Sequence, residues 1–152
     1  MASMAGPAYL LDTGIVLVAT RASNASKFID RQFGLSTSSF RPAICEVSVG
    51  ELLAFASANH WGEKRKAMLM EHLKNSLVIP ISHPGVHQRW ADMQSRLQGA
   101  GLTIGQNDIW IAATASVTGL TVLSTDKDFR RLVAHGLVEA VVVDPRTGVV
   151  VP

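Results

Sequence analysis

Short apolar runs alternate with longer segments of helical periodicity along the chain, and this alternation limits the folds that it can adopt. Five runs have the length and composition of buried strands, at residues 9–11, 42–45, 77–81, 121–124 and 139–143. Between and after them lie segments with helical spacing, at residues 15–18, 24–33, 47–58, 62–75, 87–98, 107–117 and 126–135. Strands that alternate with helices predict a three-layer α/β fold, with a mainly parallel central sheet and helices on both faces.

Single residues refine the placement of individual elements. Pro80 favours an edge position for the strand at 77–81, because proline cannot donate to a neighbouring strand. The helix at 107–117 is apolar almost all round after Asp108, which is typical of a helix in the interior. Residues 145–148 resemble a turn, and we expect 149–151 to return as a short final strand.

The bulk composition is that of one globular domain. The chain has 152 residues, of which 47% are hydrophobic and 17% charged, so we expect one domain over 1–152 with a loose N-terminal end at 1–7. Cys45 is the only cysteine, so no internal disulfide can form and a cytoplasmic location is expected. No stretch approaches the roughly 20 apolar residues of a membrane-spanning helix, so we expect no membrane association.

Four acidic residues are predicted to meet at one edge of the sheet. Asp12 ends the first strand and Asp126 follows the fourth, so both belong to the edge at which the carboxyl ends of parallel strands meet. Asp108 begins the buried helix, and Glu51 lies one turn inside the helix that follows the second strand. Taken singly, each of the three aspartates could simply cap a helix.

Glu51 favours a joint explanation for the four acids. It lies on a mostly apolar helix with no cation nearby in the sequence, and a buried unpaired carboxylate is costly. Carboxylates that converge repel one another, and a hard divalent cation relieves the repulsion. Mg²⁺, with Mn²⁺ as the alternative, suits carboxylate oxygens and could activate water at a phosphodiester. The sequence leaves open whether one ion or two are bound.

The motifs around these acids resemble those of the PIN-domain nucleases, and in order and spacing those of the VapC toxins. The matching segments are Leu-Leu-Asp-Thr at 10–13, Val-Gly-Glu-Leu-Leu at 49–53, the helix start at 107–115 and Leu-Ser-Thr-Asp-Lys-Asp-Phe at 123–129. The resemblance assigns the catalytic and metal-binding acids, which are Asp12, Glu51, Asp108 and Asp126. It assigns supporting positions to Asp128, Thr13 and Ser124, and a structural role for the two hydroxyls is an equal alternative. Glu46 is a rival to Glu51 that lacks the following Leu-Leu pair.

This resemblance implies a PIN-like, Rossmann-like fold and Mg²⁺-dependent endonucleolytic cleavage of single-stranded cellular RNA. It also implies a homodimer that is neutralised by an antitoxin protein lying across the active site. A housekeeping RNA-processing nuclease and a non-catalytic RNA- or protein-binding module are the alternatives.

Two further sequence features have both a structural and a functional interpretation. Basic residues cluster at 64–66 and again at Lys127, Arg130 and Arg131, either as solvated helix faces or as contacts to nucleic acid. Trp61 and Trp90 could stack on RNA bases, although packing in the core or in a dimer interface is the favoured interpretation.

Overall fold

The computed structural model describes residues 7–152, so the predicted loose end at 1–7 lies, apart from Pro7, outside the described residues. Within that range the chain forms an α/β fold. Its strands are β1 (Tyr9–Leu11), β2 (Ala43–Cys45), β3 (Leu77–Ile79), β4 (Thr121–Ser124) and β5 (Ala140–Val142). Its helices are α1 (Thr13–Ala19), α2 (Asn24–Phe33), α3 (Glu46–Ala58), α4 (Glu63–Lys74), α5 (Val86–Gly99), α6 (Gln106–Thr118) and α7 (Asp128–Ala134).

The five strands form one sheet in the order β3-β2-β1-β4-β5, and every neighbouring pair is parallel. The α/β prediction is therefore confirmed. β3 lies at an edge, as Pro80 predicted, although the strand stops at Ile79. The predicted final strand at 149–151 is wrong: only Val150 forms a bridge, antiparallel to Val143. The tight turn before it, closed by Gly148 N–H donating to the Asp144 carbonyl, brings just this one pair into register.

Successive strand residues pack on opposite faces of the sheet, and this alternation produces two hydrophobic cores. On one face, Leu10 and Val122 pack against buried residues of α5, α6 and α7. On the other face, Leu11 and Leu123 pack against buried residues of α1 to α4. The period of two along each strand therefore builds the predicted three layers.

Helix α6 lies inside the first of these cores. Ile111, Ala112 and Ala113 are fully buried, so the expectation of an interior helix from the apolar pattern is confirmed. The helix begins at Gln106 after Gly105, and this start places Asp108 in the first turn. None of the helices in the described part of the chain is long and apolar enough to cross a membrane.

Candidate active site

The candidate site lies where the chain reverses direction across the sheet. From β1 the chain adds β2 and then β3 on one side, and it later returns to place β4 on the other side of β1. In open parallel sheets this switch point leaves a crevice beyond the carboxyl ends of the two central strands. Asp12 follows β1 and the segment after Ser124 follows β4, so both border the crevice.

Asp12 is a buried carboxylate that is held by hydrogen bonds at both oxygens. It is the N-cap of α1, where its Oδ1 accepts from Thr13 N–H at 2.8 Å. Its Oδ2 accepts from the Ser124 hydroxyl at 2.6 Å. The pKa of Asp12 is raised to about 6: burial raises it most, the two hydrogen bonds lower it, and the charges of Glu51 and Asp126 add to the rise. Asp12 therefore caps α1 and also belongs to the acidic group.

Asp108 is placed by the first turn of α6 rather than by a capping bond. The N-cap is Gly105, so the alternative in which Asp108 caps this helix is wrong; the carboxylate lies inside the first turn. Its pKa is raised to about 7, first by burial and then by the charges of neighbouring carboxylates, which are in order of size Asp12, Asp126, Glu51 and Asp128. Four neighbouring carboxylates therefore act electrostatically on this one group.

Three carboxylates after β4 and at the start of α6 come close enough to share one cation. One oxygen from each of Asp108, Asp126 and Asp128 lies within 4.8 Å of the other two. Asp126 precedes α7, which begins at Asp128 instead of the predicted residue 126. The Asp126 carboxylate accepts from Asp128 N–H at 2.9 Å, and this turn brings the two acids to the same side.

The Ser124 hydroxyl links the two strand ends. Ser124 is fully buried; it donates to Asp12 and accepts from Asp126 N–H at 2.9 Å. Because one hydroxyl can donate once and accept at the same time, it fixes the distance between the ends of β1 and β4. A positioning role was one of the two predicted for Ser124.

Glu51 obtains a hydrogen-bond partner that the sequence did not reveal. Its Oε1 lies 2.7 Å from the Thr13 hydroxyl, which lies 3.1 Å from the hydroxyl of Ser48. A carboxylate only accepts, so Thr13 donates its proton to Glu51 and accepts from Ser48. Ser48 is fully buried and was missed by sequence reasoning. Its position three residues before Glu51, on the same helix face, was the signal that could have found it.

Glu46, the rival of Glu51, has a different partner. Its Oε1 accepts from Ile81 N–H at 2.5 Å, and it begins α3 close to the end of β3. Glu46 thus stabilises the loop after the edge strand. The electrostatic neighbours of Asp12 and Asp108 include Glu51 but not Glu46.

The two candidate tryptophans and the cysteine lie outside the site. Trp61 is 7% exposed and belongs to the core, and Trp90 stacks on Trp110 with ring centroids 4.8 Å apart. Cys45 is buried against Thr114, and burial raises the pKa of its thiol, as expected for a structural cysteine. Histidine takes part in no cluster of metal-binding type within residues 7–152.

The donor set fits a hard divalent cation. It consists of carboxylate oxygens, and Arg131, which pairs with Asp128 at 3.3 Å, is the only cation in an ion pair among the described residues. Burial, and after it the charges of neighbouring carboxylates, raise the pKa values of Asp12 and Asp108, and a bound cation would favour their ionised forms. Carboxylate donor sets of this kind suit hard divalent cations.

Residues 9–134 match the family model of the PIN domain. The chain belongs to the PIN-domain family. All the acids of the site lie inside the matched segment, and the region that does not match is confined to the two ends. The matched segment contains the strands β1 to β4 and the helices α1 to α7.

Similar proteins are VapC ribonucleases and VapBC complexes. Ribonuclease VapC2 of Haemophilus influenzae is 25% identical over 127 residues, which is 83% of this chain and 92% of that protein. VapBC2 from Rickettsia felis, bound to a promoter DNA fragment, superposes with a TM-score of 0.72 at 22% identity, covering 87% of this chain and 96% of that one. VapBC-5 from Mycobacterium tuberculosis, a member of the VapBC family of toxin-antitoxin systems, gives 0.64 at 23% identity, covering 90% and 100%. These two structures support the fold of this PIN domain.

Proposed function

We propose that this PIN domain is a Mg²⁺-dependent endoribonuclease that acts as the toxin of a toxin–antitoxin pair. The observation that supports this most is the convergence of acids from four separate elements on the switch point of the sheet. One oxygen from each of Asp108, Asp126 and Asp128 lies within 4.8 Å of the other two, and the charges of Asp12 and Glu51 act on Asp108. A substrate with phosphodiester bonds suits a site that combines a divalent cation with water.

In this proposal the acids have two kinds of role. Asp108, Asp126 and Asp128 would hold the metal, with Asp12 beside them, and Glu51 would orient a water. Bound Mg²⁺ supplies positive charge for the phosphate oxygens and lowers the pKa of the attacking water. A neighbouring carboxylate of the site would accept the proton of that water.

The hydroxyl groups act through the acids. Ser124 keeps Asp12 and Asp126 at a fixed separation, and Thr13 holds Glu51 in one rotamer through its hydrogen bond. Such supporting contacts usually change metal affinity or activity by about 10- to 100-fold when they are removed. We assign Ser48 to this group as well, because its hydroxyl donates to Thr13.

The proposed partners are RNA, an antitoxin protein and a second copy of the chain. The name of the Haemophilus influenzae relative denotes a ribonuclease, and the Mycobacterium tuberculosis structure belongs to a toxin-antitoxin family. Both proteins match nearly their whole length, which supports the transfer of the role to this chain.

Cleavage of total cellular RNA tests the proposal. We expect cleavage with Mg²⁺ or Mn²⁺, none with EDTA, and a loss of at least about 100-fold for Asp108→Asn and Asp12→Asn. Asp92→Asn is the matched control, since Asp92 is an exposed carboxylate on α5. Activity that survives chelation and both substitutions would rule out the mechanism.

The toxin role needs a separate measurement. Expression of the wild-type chain should arrest growth and generate new RNA 5′ ends, and Asp108→Asn should do neither. Relief of the arrest by a co-expressed partner encoded next to this gene would support an antitoxin. Cleavage in vitro without any growth arrest would favour an RNA-processing nuclease, and absence of cleavage on every RNA would favour a binding module.

A further inference from the structure

A basic pocket lies between the end of α1 and the start of α4, away from the acids. It has a volume of about 430 Å³ and is lined by Thr20, Arg21, Ala22, Lys64, Arg65 and Met68. We call it the Arg21–Arg65 pocket. Three of its six lining residues are cations, and none is a carboxylate.

The guanidinium of Arg65 is held in place before any ligand binds. It lies over the ring of Trp61, 3.7 Å from the ring centroid, and Trp61 itself is buried. Its Nε and Nη2 atoms both donate to the hydroxyl of the buried Thr20, at 3.3 and 3.2 Å. Stacking and hydrogen bonding of this kind reduce the conformational entropy that is lost when a ligand binds.

The guanidinium of Arg65 still has N–H groups that can donate to a ligand. Thr20 occupies the Nε edge of Arg65, and Nη1 has no protein acceptor among the described residues. A guanidinium edge with two N–H groups matches two oxygens of a phosphate. Arg65 therefore presents a phosphate-binding edge at the pocket.

The positive charge of the pocket is not compensated by the protein. Within residues 7–152 the only ion pair joins Arg131 and Asp128, far along the chain from this pocket. Burial lowers the pKa of Arg65 and the charge of Arg21 lowers it further, so the two cations repel each other. An anion between them would relieve the repulsion.

Helix α1 connects this pocket to the acidic site. Asp12 is the N-cap of α1 and Thr20 is its C-cap, so about 12 Å of helix axis separates them at 1.5 Å per residue. The acids repel a polyanion, and a nucleic acid that reaches them has to be held by cations some distance away. The Arg21–Arg65 pocket offers cations at that distance.

We propose that the Arg21–Arg65 pocket binds a backbone phosphate of the RNA substrate, a few nucleotides from the bond that is cleaved. This inference rests on the proposed nuclease function and adds to it a second contact point, outside the metal site. Phosphate contacts of this kind position a nucleic acid without reading its sequence. The pocket thus contributes affinity and register rather than base specificity.

RNA binding without cleavage tests the inference. In the Asp108→Asn background, the affinity for fluorescein-labelled oligouridine is measured by anisotropy at several salt concentrations. We expect Arg21→Ala with Lys64→Ala to weaken binding by about tenfold, and to reduce the salt slope by about 0.7 for each phosphate that the variant no longer neutralises. Arg21 and Lys64 are both exposed, so the double variant should fold normally.

Two further variants sharpen the result. Lys74→Ala removes one positive charge at the other end of α4 and should change the affinity less than twofold. Arg65→Lys keeps the charge but loses the paired N–H groups of the guanidinium. It should weaken RNA binding severalfold with little change in the salt slope. Unchanged RNA affinity and slope in the double variant would overturn the inference, whether or not the wild-type chain cleaves RNA.

An acidic partner protein is the competing occupant. Oligoglutamate is therefore tested in parallel against the same variants. If only the oligoglutamate affinity depends on Arg21 and Lys64, the pocket is a protein-docking site and the inference is wrong. Failure of the proposed function itself would instead appear as absence of metal-dependent cleavage by the wild-type chain.

Discussion

At the scale of single residues, the acidic group depends on hydroxyls that hold the carboxylates in position. Asp12 accepts from Ser124, and Glu51 accepts from Thr13. These two hydroxyls were predicted as supporting residues at the ends of β1 and β4. The chain from Ser48 through Thr13 to Glu51 became visible only in the structure, because its members are 35 and 38 residues apart.

Thr13→Val tests the support of Glu51. Valine has nearly the same shape as threonine but no hydroxyl, so Glu51 loses its donor and Ser48 loses its acceptor. We expect metal-dependent cleavage to fall by about tenfold, the equivalent of roughly 1.4 kcal/mol for one hydrogen bond, and the Mg²⁺ concentration for half-maximal rate to rise. Kinetics over a Mg²⁺ titration provide the measurement.

Thr118→Val is the matched control for this substitution. The Thr118 hydroxyl bonds only to backbone carbonyls in the last turn of α6, so its loss should leave the Mg²⁺ dependence unchanged. An unaltered titration in Thr13→Val would show that Glu51 does not need the hydroxyl.

At the scale of elements, the first turn of α1 and the loop after β4 approach each other closely. A Cβ atom added at Gly14 would clash with Thr125 Oγ1 and lie 3.4 Å from Thr125 Cβ. Glycine is required here by the close approach rather than by its backbone angles. The approach matters because Asp12 precedes this turn and Asp126 follows Thr125.

Gly14→Ala should therefore disturb the separation of the two strand ends. Alanine favours the helix by about 1 kcal/mol, but the clash should cost about 1–3 kcal/mol and reduce the cleavage rate. Thr125→Ala removes the clashing atom, so the double variant should recover both stability and activity relative to Gly14→Ala. Thermal unfolding and cleavage rates of the four proteins form the test, and additive effects would contradict it.

Element boundaries show where sequence periodicity was sufficient. Helix α2 was predicted with its observed bounds, because Ser23 caps it and Gly34 ends it in a left-handed conformation. The start of α7 was predicted two residues early, since the bond from Asp128 N–H to Asp126 forms a turn that periodicity does not reveal. The short strand at 149–151 was predicted from apolar residues that form one bridge only.

At the scale of the whole molecule, the acidic site couples stability to pH and to metal. The pKa values of Asp12 and Asp108 are raised from 3.8 to about 6 and about 7. Between pH 4 and 7 the folded metal-free chain thus binds more protons than the unfolded chain. Its stability should fall as pH rises through this window and level off above it.

The corresponding measurement is the thermal midpoint from pH 5 to 8, with EDTA or with Mg²⁺. Mg²⁺ should raise the midpoint by several degrees at pH 8 and by little at pH 5, because it stabilises the ionised carboxylates. In EDTA, Asp108→Asn should be more stable than the wild type at pH 8, and Asp92→Asn should not. In EDTA, the thermal midpoint of the wild type should fall more between pH 5 and pH 8 than that of Asp108→Asn. Equal falls in the two proteins would contradict the coupling.

The sequence by itself determined the fold class, and it predicted which acids form the site. Local periods of two and of about four residues follow from backbone geometry, so they mark strands and helices without tertiary information. The rule that ligands collect at the carboxyl ends of parallel strands then pointed to Asp12 and Asp126.

Only the tertiary structure decided which side chains meet. It brought Asp128 together with Asp108 and Asp126, joined Ser48 to Glu51 through Thr13, and stacked Arg65 on Trp61 next to Thr20. The contacts of Asp108 with Asp126, of Ser48 with Thr13 and of Arg65 with Thr20 join residues far apart in the chain, and their distances depend on how helices pack on the sheet. No local pattern encodes those distances, since the same periodicity is compatible with many packings.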